Sequence, residues 1–442
     1  MFATQVLAEF GASFHLQPLT EDVLHHAKRA VIDWYASVFP GLDAAPVRIL
    51  EQVLSDDLDH GSARLIRGRR ATARTAALIN GAAAHAAEVD DSFRDAMYHP
   101  GAATIAAALA AAQDVNASGL DLLRAIVTGY EISTRIGIVL GRPHYLYWHN
   151  TGTVGTFGAT AAAAFLHRLD APAFAHALAT AATFSAGLQQ AFRMDSMSKP
   201  LHPGRAAEAG ILAAMLAKRG LTGSLDVLDG DAGLGKAMSE GADWSSIGQT
   251  LGQVFHIKSL TFKNHIGCGH AFAAIDGALA LQRLHAIQPN DIARVRVGTY
   301  KPALDIACHD QPQTANEARF SLKYVIATAL AHGSVRMAAY EPGRLNDPAV
   351  RALMQRIEVA VDPEIDSWFP RQRAARIKIE TVDGKRLHYL QPNRKGDPED
   401  PLSDEDISDK LIELASPVVG EAAARSLLDR LWLLEQAPCM DW

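Results

Sequence analysis

The hydrophobic period of this chain changes near residue 264, and that change limits the fold more than any other feature. From Glu21 to Ala217 apolar residues return at spacings of three and four, with breaks at Pro, Gly or Asn, the period of helices packed on a core. Segments such as GTFGATAAAAFLHRL and RAAEAGILAAMLAKRG are rich in Ala and Gly, so their backbones can approach closely and bury helices on all sides. Strand-like alternation is absent before 264. Beyond it, IARVRVGTY (292–300), IEVAVD (357–362) and ARIKIETVDGKRLHYLQP (375–392) alternate apolar and polar residues, with Asp383-Gly384 as a hairpin signal. Helical stretches are expected between them at 265–286, 316–332 and 346–356. A polar, proline-broken linker, KGDPEDPLSDEDISDK, then leads to LIELASPVVGEAAARSLLDRLWLLEQ, whose period is helical again. The expected fold is α+β: a large all-helical domain over 1–264, completed by 402–442, and a smaller α+β domain over 265–401.

At 442 residues the chain is longer than one core usually serves, in keeping with two domains. Its net charge of -7 and the lack of any run of Lys or Arg exclude a nucleic-acid surface. An anionic substrate would have to be gathered by a few basic side chains in one cleft, because the summed charge repels it. Cys268, Cys308 and Cys439 are an odd, scattered set that fits a reducing compartment rather than a disulfide framework. The start, MFATQVLAEFGASF, lacks the pattern of a signal peptide, and no apolar run approaches the ~18 to 20 residues that span a bilayer. A cytoplasmic protein without a membrane anchor is expected.

Chemistry concentrates in four places. In LINGAAAHAAEVDDSFRDAMYHPG (78–101) an alanine-rich helix runs into Asp90, Asp91, Ser92, Arg94, Asp95 and His99, a density of acids, base and hydroxyl that suits proton transfer better than core filling. Pro100 and Gly101 put His99 at a loop end beside the next helix. In GRPHYLYWHNTGTVGTFGA (141–159) Tyr145 and His149 stand just before a helix start, a natural anion site, with Thr151 and Thr153 as candidate caps. In RMDSMSKPLHPGRAAEAG (193–210) Lys199 precedes Pro200 and so belongs to a loop; with Arg193, His202 and Arg205 it forms a basic cluster suited to a carboxylate. In FKNHIGCGHAFAAIDGALAL (262–281) Lys263 and His265 read as further anion contacts or a base at the mouth of a helix.

The bland alternatives are capping and solvated charge for the acids and Lys199, and close helix packing for the glycines of the second stretch. His265, Cys268 and His270 have donor chemistry for zinc, but no fourth ligand follows and the spacing fits no common finger, so no metal site is assigned. GDAGLGKA (230–237) has Ala237 where a phosphate loop needs Ser or Thr, and GxGxxG after a strand is missing.

Four stretches in order, NGAAAHAAEVDD with HPG, WHNTGTVGTFGA, MSKPLHPGRAA and EARFSLKYVIATAL, resemble the MmgE/PrpD family over about residues 20 to 400. The resemblance implies a helical domain with an α+β lid, an active site between them, a homodimer, and no metal or organic cofactor. It implies a lyase working by proton abstraction next to a carboxylate on a small di- or tricarboxylate, as in dehydration of 2-methylcitrate or decarboxylation of cis-aconitate. The alternatives are epimerisation of a dicarboxylate such as iminodisuccinate and, in another class, a non-catalytic helical protein that binds a small anion. Matched motif by motif, the family's site falls on Glu88, Ser92, His99, His149, Lys199, Lys263 and Tyr324, and Tyr145 matches the epimerase-like stretch. His99, His149, Lys199, Tyr145 and Asp91 are thus candidates for catalysis; Glu88, Asp90, Ser92, Lys263, His265 and Tyr324 are candidates for holding substrate. FKNHIGCGH departs from the dehydratase pattern, which bears on the substrate.

Overall fold

A computed structural model describes residues 1–194 and 196–440, apart from the Phe192 side chain. The described chain forms two compact units, Met1–Thr261 with Ser403–Trp442, and Phe262–Leu402.

The first unit opens with α1 (Ala3–Ser13), α2 (Glu21–Gly41) and α3 (Ala45–Val53), followed by a hairpin of β1 (Leu58–Arg64) and β2 (Arg70–Ala71). That hairpin corrects the expectation of no strand before 264. Its first strand, LDHGSAR, exposes most of its side chains, so burial imposes no apolar alternation for a reader to find. The unit continues with α4 (Ala73–Ala86), α5 (Pro100–Asp114), α6 (Gly119–Tyr145), α7 (Asn150–Leu166), α8 (Ala171–Phe184), α9 (Leu201–Lys218) and the short α10 (Leu234–Met238).

Helix α7 is the centre of this unit, and each of its residues is buried. Small residues make that possible. A Cβ on Gly158 would lie 2.4 Å from Thr104 Oγ1, and one on Gly129 would lie 2.6 Å from the Gly158 carbonyl. Helices α6 and α7 therefore touch backbone to backbone, and α5 lays its Thr104 side chain against both, the close packing that the alanine-rich pattern anticipated. The GDAGLGKA stretch is a set of turns running into α10.

The second unit contains α11 (Phe272–His285), β3 (Ile292–Thr299), α12 (Lys301–Ile306), α13 (Ala315–Arg319), α14 (Leu322–His332), α15 (Pro342–Leu345), α16 (Pro348–Met354), β4 (Ile357–Val361), α17 (Pro363–Trp368), β5 (Ala375–Thr381) and β6 (Arg386–Gln391). The sheet order is β4-β3-β5-β6, with β3 parallel to β4 and antiparallel to β5, and β5 antiparallel to β6. Val295, Val297, Ile377 and Ile379 are buried while Arg294, Arg296 and Lys378 are exposed, the alternation that marked these strands in the sequence. Residues 265–271, expected to be helical, are instead turns and a short 3-10 segment, since Gly267 takes a φ of 120° that no helix accommodates.

The chain then returns to the first unit as α18 (Asp404–Val419) and α19 (Glu421–Trp432). On α18 the buried Lys410 ammonium bonds the Asp33 carboxylate of α2 at 2.5 Å and the Val89 carbonyl at 2.8 Å. It thereby pins the loop that carries Asp90 and Asp91. The architecture is α+β and mostly helical, and no helix of the described residues is long and apolar enough to cross a membrane.

Candidate active site

Three helices of the first unit begin at the residues singled out for chemistry. His99 is the N-cap of α5 and His149 the N-cap of α7, while Lys199 directly precedes Pro200, the N-cap of α9. The His99 amide donates to Thr151 Oγ1 at 3.2 Å, His149 meets His202 of α9, and Lys199 forms an ion pair with Glu88. Three positive helix ends and three basic side chains thus share one region, an arrangement suited to an anion. Thr151 and Thr153 are not caps, because the helical hydrogen bonds start at the His149 carbonyl, which accepts from the amides of Gly152 and Thr153. Instead, Thr153 Oγ1 lies 2.7 Å from His144 Nε2.

The acids enter through the loop after α4. Glu88 adopts the left-handed φ of 59°, at a helix end where glycine is usual. Such a conformation costs a non-glycine residue ~1–3 kcal/mol. In return, its 7% exposed side chain reaches Lys199. Asp90 Oδ2 lies 2.7 Å from His85 Nδ1 and 3.5 Å from His99 Nδ1, so one carboxylate faces two imidazoles. His99 Nδ1 lies 2.6 Å from the Asp91 carbonyl oxygen. A carbonyl only accepts, so Nδ1 carries the proton, and in the neutral ring Nε2 holds the lone pair.

Asp91 points the other way. Its carboxylate accepts from the Tyr130 hydroxyl at 2.8 Å and from the Gly101 amide at 3.0 Å. Burial raises its pKa from 3.8 to about 8, reinforced by the charges of Asp33 and Asp90 and opposed by the Tyr130 hydrogen bond. Asp91 therefore anchors the start of α5 and is largely protonated at neutral pH, the state of an acid rather than of a base.

His149 is held well below the ordinary imidazole value, first by burial and then by His85, Lys199, His202 and His99 around it. Burial likewise takes His202 down to about 4, with His85 and Lys199 adding to the effect. Both rings are neutral at pH 7.

Of the other candidates, Ser92 is half-buried and pairs through its backbone with Thr261, each amide donating to the other's carbonyl. Tyr145 ends α6 and is half-buried. In the second unit Lys263 and His265 are buried, and His265 Nε2 lies 2.8 Å from Asp276 Oδ1. Tyr324 is fully buried and its hydroxyl donates to the Ala339 carbonyl, so in this conformation that group serves the fold.

Sequence reasoning missed His85, Tyr130 and Asp276 as partners of the site residues, and it placed His202 with Lys199 but not against His149. His85 was in plain view five positions before Asp90, yet inside an alanine helix it reads as filler.

As for metal, among the described residues the donors within reach of one another are His85, Asp90 and His99. The His85–Asp90 separation of 2.7 Å is a hydrogen bond, shorter than the ~3.3 Å between neighbouring donors of a tetrahedral zinc site. His265, Cys268 and His270 form no such group; His270 Nδ1 lies 3.0 Å from the Tyr300 hydroxyl.

The raised Asp91 pKa has a measurable consequence. Between pH 4 and 8 the folded chain keeps a proton on Asp91 that the unfolded chain has lost. The group's contribution to stability is therefore complete below its unfolded value of 3.8 and disappears as pH rises through about 8. Asp91→Asn needs no proton, so its stability relative to the parent should improve by up to ~1.4 kcal/mol per pH unit across this window. Urea unfolding at pH 5 and pH 8 checks this, and an unchanged difference between the two proteins would remove the buried acid from the account.

Two family models cover nearly the whole chain: the MmgE/PrpD N-terminal domain over residues 5–247 and the MmgE/PrpD C-terminal domain over 265–434. The protein is a lyase, and the chain belongs to the MmgE/PrpD family. It is 28% identical over 448 residues to cis-aconitate decarboxylase of Homo sapiens, covering 97% of this chain and 91% of the relative. The mouse enzyme of the same name is 27% identical over 98% of this chain and 92% of its own length. Cis-aconitate decarboxylase-like protein oryM of Aspergillus oryzae is 27% identical over 94% and 90%, respectively.

Proposed function

We propose that this lyase decarboxylates cis-aconitate or a close tricarboxylate without a cofactor. The observation that carries the reading is the meeting of His99, His149 and Lys199 at three adjoining helix starts. Lys199 and the helix ends would hold the carboxylates. In cis-aconitate one carboxylate sits on a CH2 beside the double bond. When that C–C bond breaks, CO2 leaves, the electron pair forms a new C=C bond, and the old double bond takes a proton on the carbon next to another carboxylate. One proton is consumed. His149 suits its delivery: neutral in the free protein, it would be driven to protonate by an arriving trianion and would then give the proton to carbon. His99, with its lone pair on Nε2, would guide or correct that transfer.

Tyr324, the homodimer and the second unit's role as a lid enter this reading on the family resemblance alone, Lys263 on the resemblance and on its residue type, and His265 on its residue type as an anion contact or base. A cytoplasmic site of action fits three cysteines that form no disulfide among the described residues.

The test is incubation with cis-aconitate, citrate, 2-methylcitrate and iminodisuccinate in deuterated water, followed by NMR. Decarboxylation should yield product with one deuterium on the methylene next to a carboxylate. Elimination of water from 2-methylcitrate without decarboxylation would favour the dehydratase, and exchange into recovered iminodisuccinate would favour the epimerase.

A further inference from the structure

His149 cannot act as a proton donor more than once unless something recharges it, and its ring is buried. His149 Nδ1 lies 2.9 Å from Nδ1 of His202, with ring centroids 5.1 Å apart. Two imidazole nitrogens at that distance share one proton, so one donates and the other accepts, and the protonation of one ring sets that of the other. His202 is the more exposed of the two and borders a cavity of about 680 Å³ whose lining includes Gly152, Phe184, Leu188 and Arg205. Leu188 at 54% and Phe184 at 36% exposure leave this cavity open to water.

The backbone keeps the two rings together. The His149 amide donates to the Gly187 carbonyl at 2.9 Å, and Gly187 has a φ of 130° that a side chain would strain. A Cβ there would lie 3.2 Å from His202 Nδ1 and 3.6 Å from His149 Cβ, so only glycine leaves the pair undisturbed.

We infer that His202 is the proton conduit of this site, passing protons between water in the adjoining cavity and Nδ1 of His149. The inference rests on the decarboxylase reading. Each turnover takes one proton from His149 to the substrate carbon. Neutral His149, with its proton on Nε2, accepts a second at Nδ1 from His202 Nδ1–H, as His202 takes one at Nε2 from cavity water and leaves hydroxide to the solvent; the imidazolium gives its Nε2 proton to the carbon. After product leaves, water returns a proton to His149 Nε2 while the pair passes one back out through His202 Nε2, which restores both starting tautomers. The depressed proton affinity of both rings keeps neither as a trap for the proton in transit.

His202→Asn and His202→Ala separate conduction from mere positioning. The Asn amide occupies the place of Nδ1 and can keep the bond to His149, but it cannot relay a proton. The relay therefore demands that both variants lose kcat, by about 10²-fold, with KM changed less than about threefold, and that imidazole added to the Ala variant restores a saturable part of the rate. An Asn variant with at least half the parental kcat would show that His202 only positions its neighbour. A loss confined to KM, or no rescue by imidazole, would equally overturn the relay. If the Ala variant fails to fold, the Asn variant alone decides. A parent protein that leaves cis-aconitate and the other tricarboxylates unchanged would defeat the decarboxylase reading instead.

Discussion

Lys199→Ala should lose most of its turnover while remaining folded. Lys199 lies in the turn before α9 and is half-buried, so it contributes little packing. Its ammonium pairs with Glu88, and it stands next to the helix whose His202 touches His149. Removing it withdraws the cation from the place where the proposed tricarboxylate would lose its water, at a cost of ~2–5 kcal/mol of transition-state binding, or about 30-fold to several-thousand-fold in kcat/KM. The variant also leaves the Glu88 carboxylate facing the incoming anion, which adds repulsion. Tm should fall by no more than about 5 °C, since the ion pair is at the edge of the core. Kinetics within threefold of the parent at low and saturating substrate would take Lys199 out of the site.

The fold was legible wherever burial imposes a period. Helices α5 and α7 are enclosed on all sides and read as alanine-rich runs; β3 and β5 bury alternate residues, β6 alternates half-buried with exposed ones, and all three read as strands. The β1–β2 hairpin was not legible, because an exposed strand has no reason to alternate. The start of α11 was placed too early because FKNHIGC carries apolar residues at helical spacing while its glycine geometry forbids the helix.

The site was legible as residue types and illegible as partnerships. Sequence pointed to His99, His149 and Lys199 because each adjoins a helix-start signal. It pointed to Asp90 and Asp91 as a pair, whereas the fold turns one toward histidines and buries the other against Tyr130. That division depends on the left-handed turn at Glu88 and on the pull of Lys410 on Val89, a contact made by a helix more than three hundred positions further along the chain. No local pattern encodes it. His85 and His202 matter for the same reason, through rings brought within 5.5 Å and 5.1 Å of His149 by packing rather than by sequence spacing.

The central claim is that His99 and His149 serve one substrate as one unit. His85 links them in space, its ring centroid 5.0 Å from His99 and 5.5 Å from His149. Groups that act on the same proton are strongly non-additive, because once one is gone the other has little left to do. The decisive measurement is kcat on cis-aconitate for His99→Ala, His149→Ala and the double variant, with folding verified for each. Each single change should cost ~10²–10⁴-fold. The account predicts a double variant no slower than the worse single one within a factor of about three. A double variant whose loss equals the product of the two single losses would show two independent contributions, and the shared-site mechanism would be wrong.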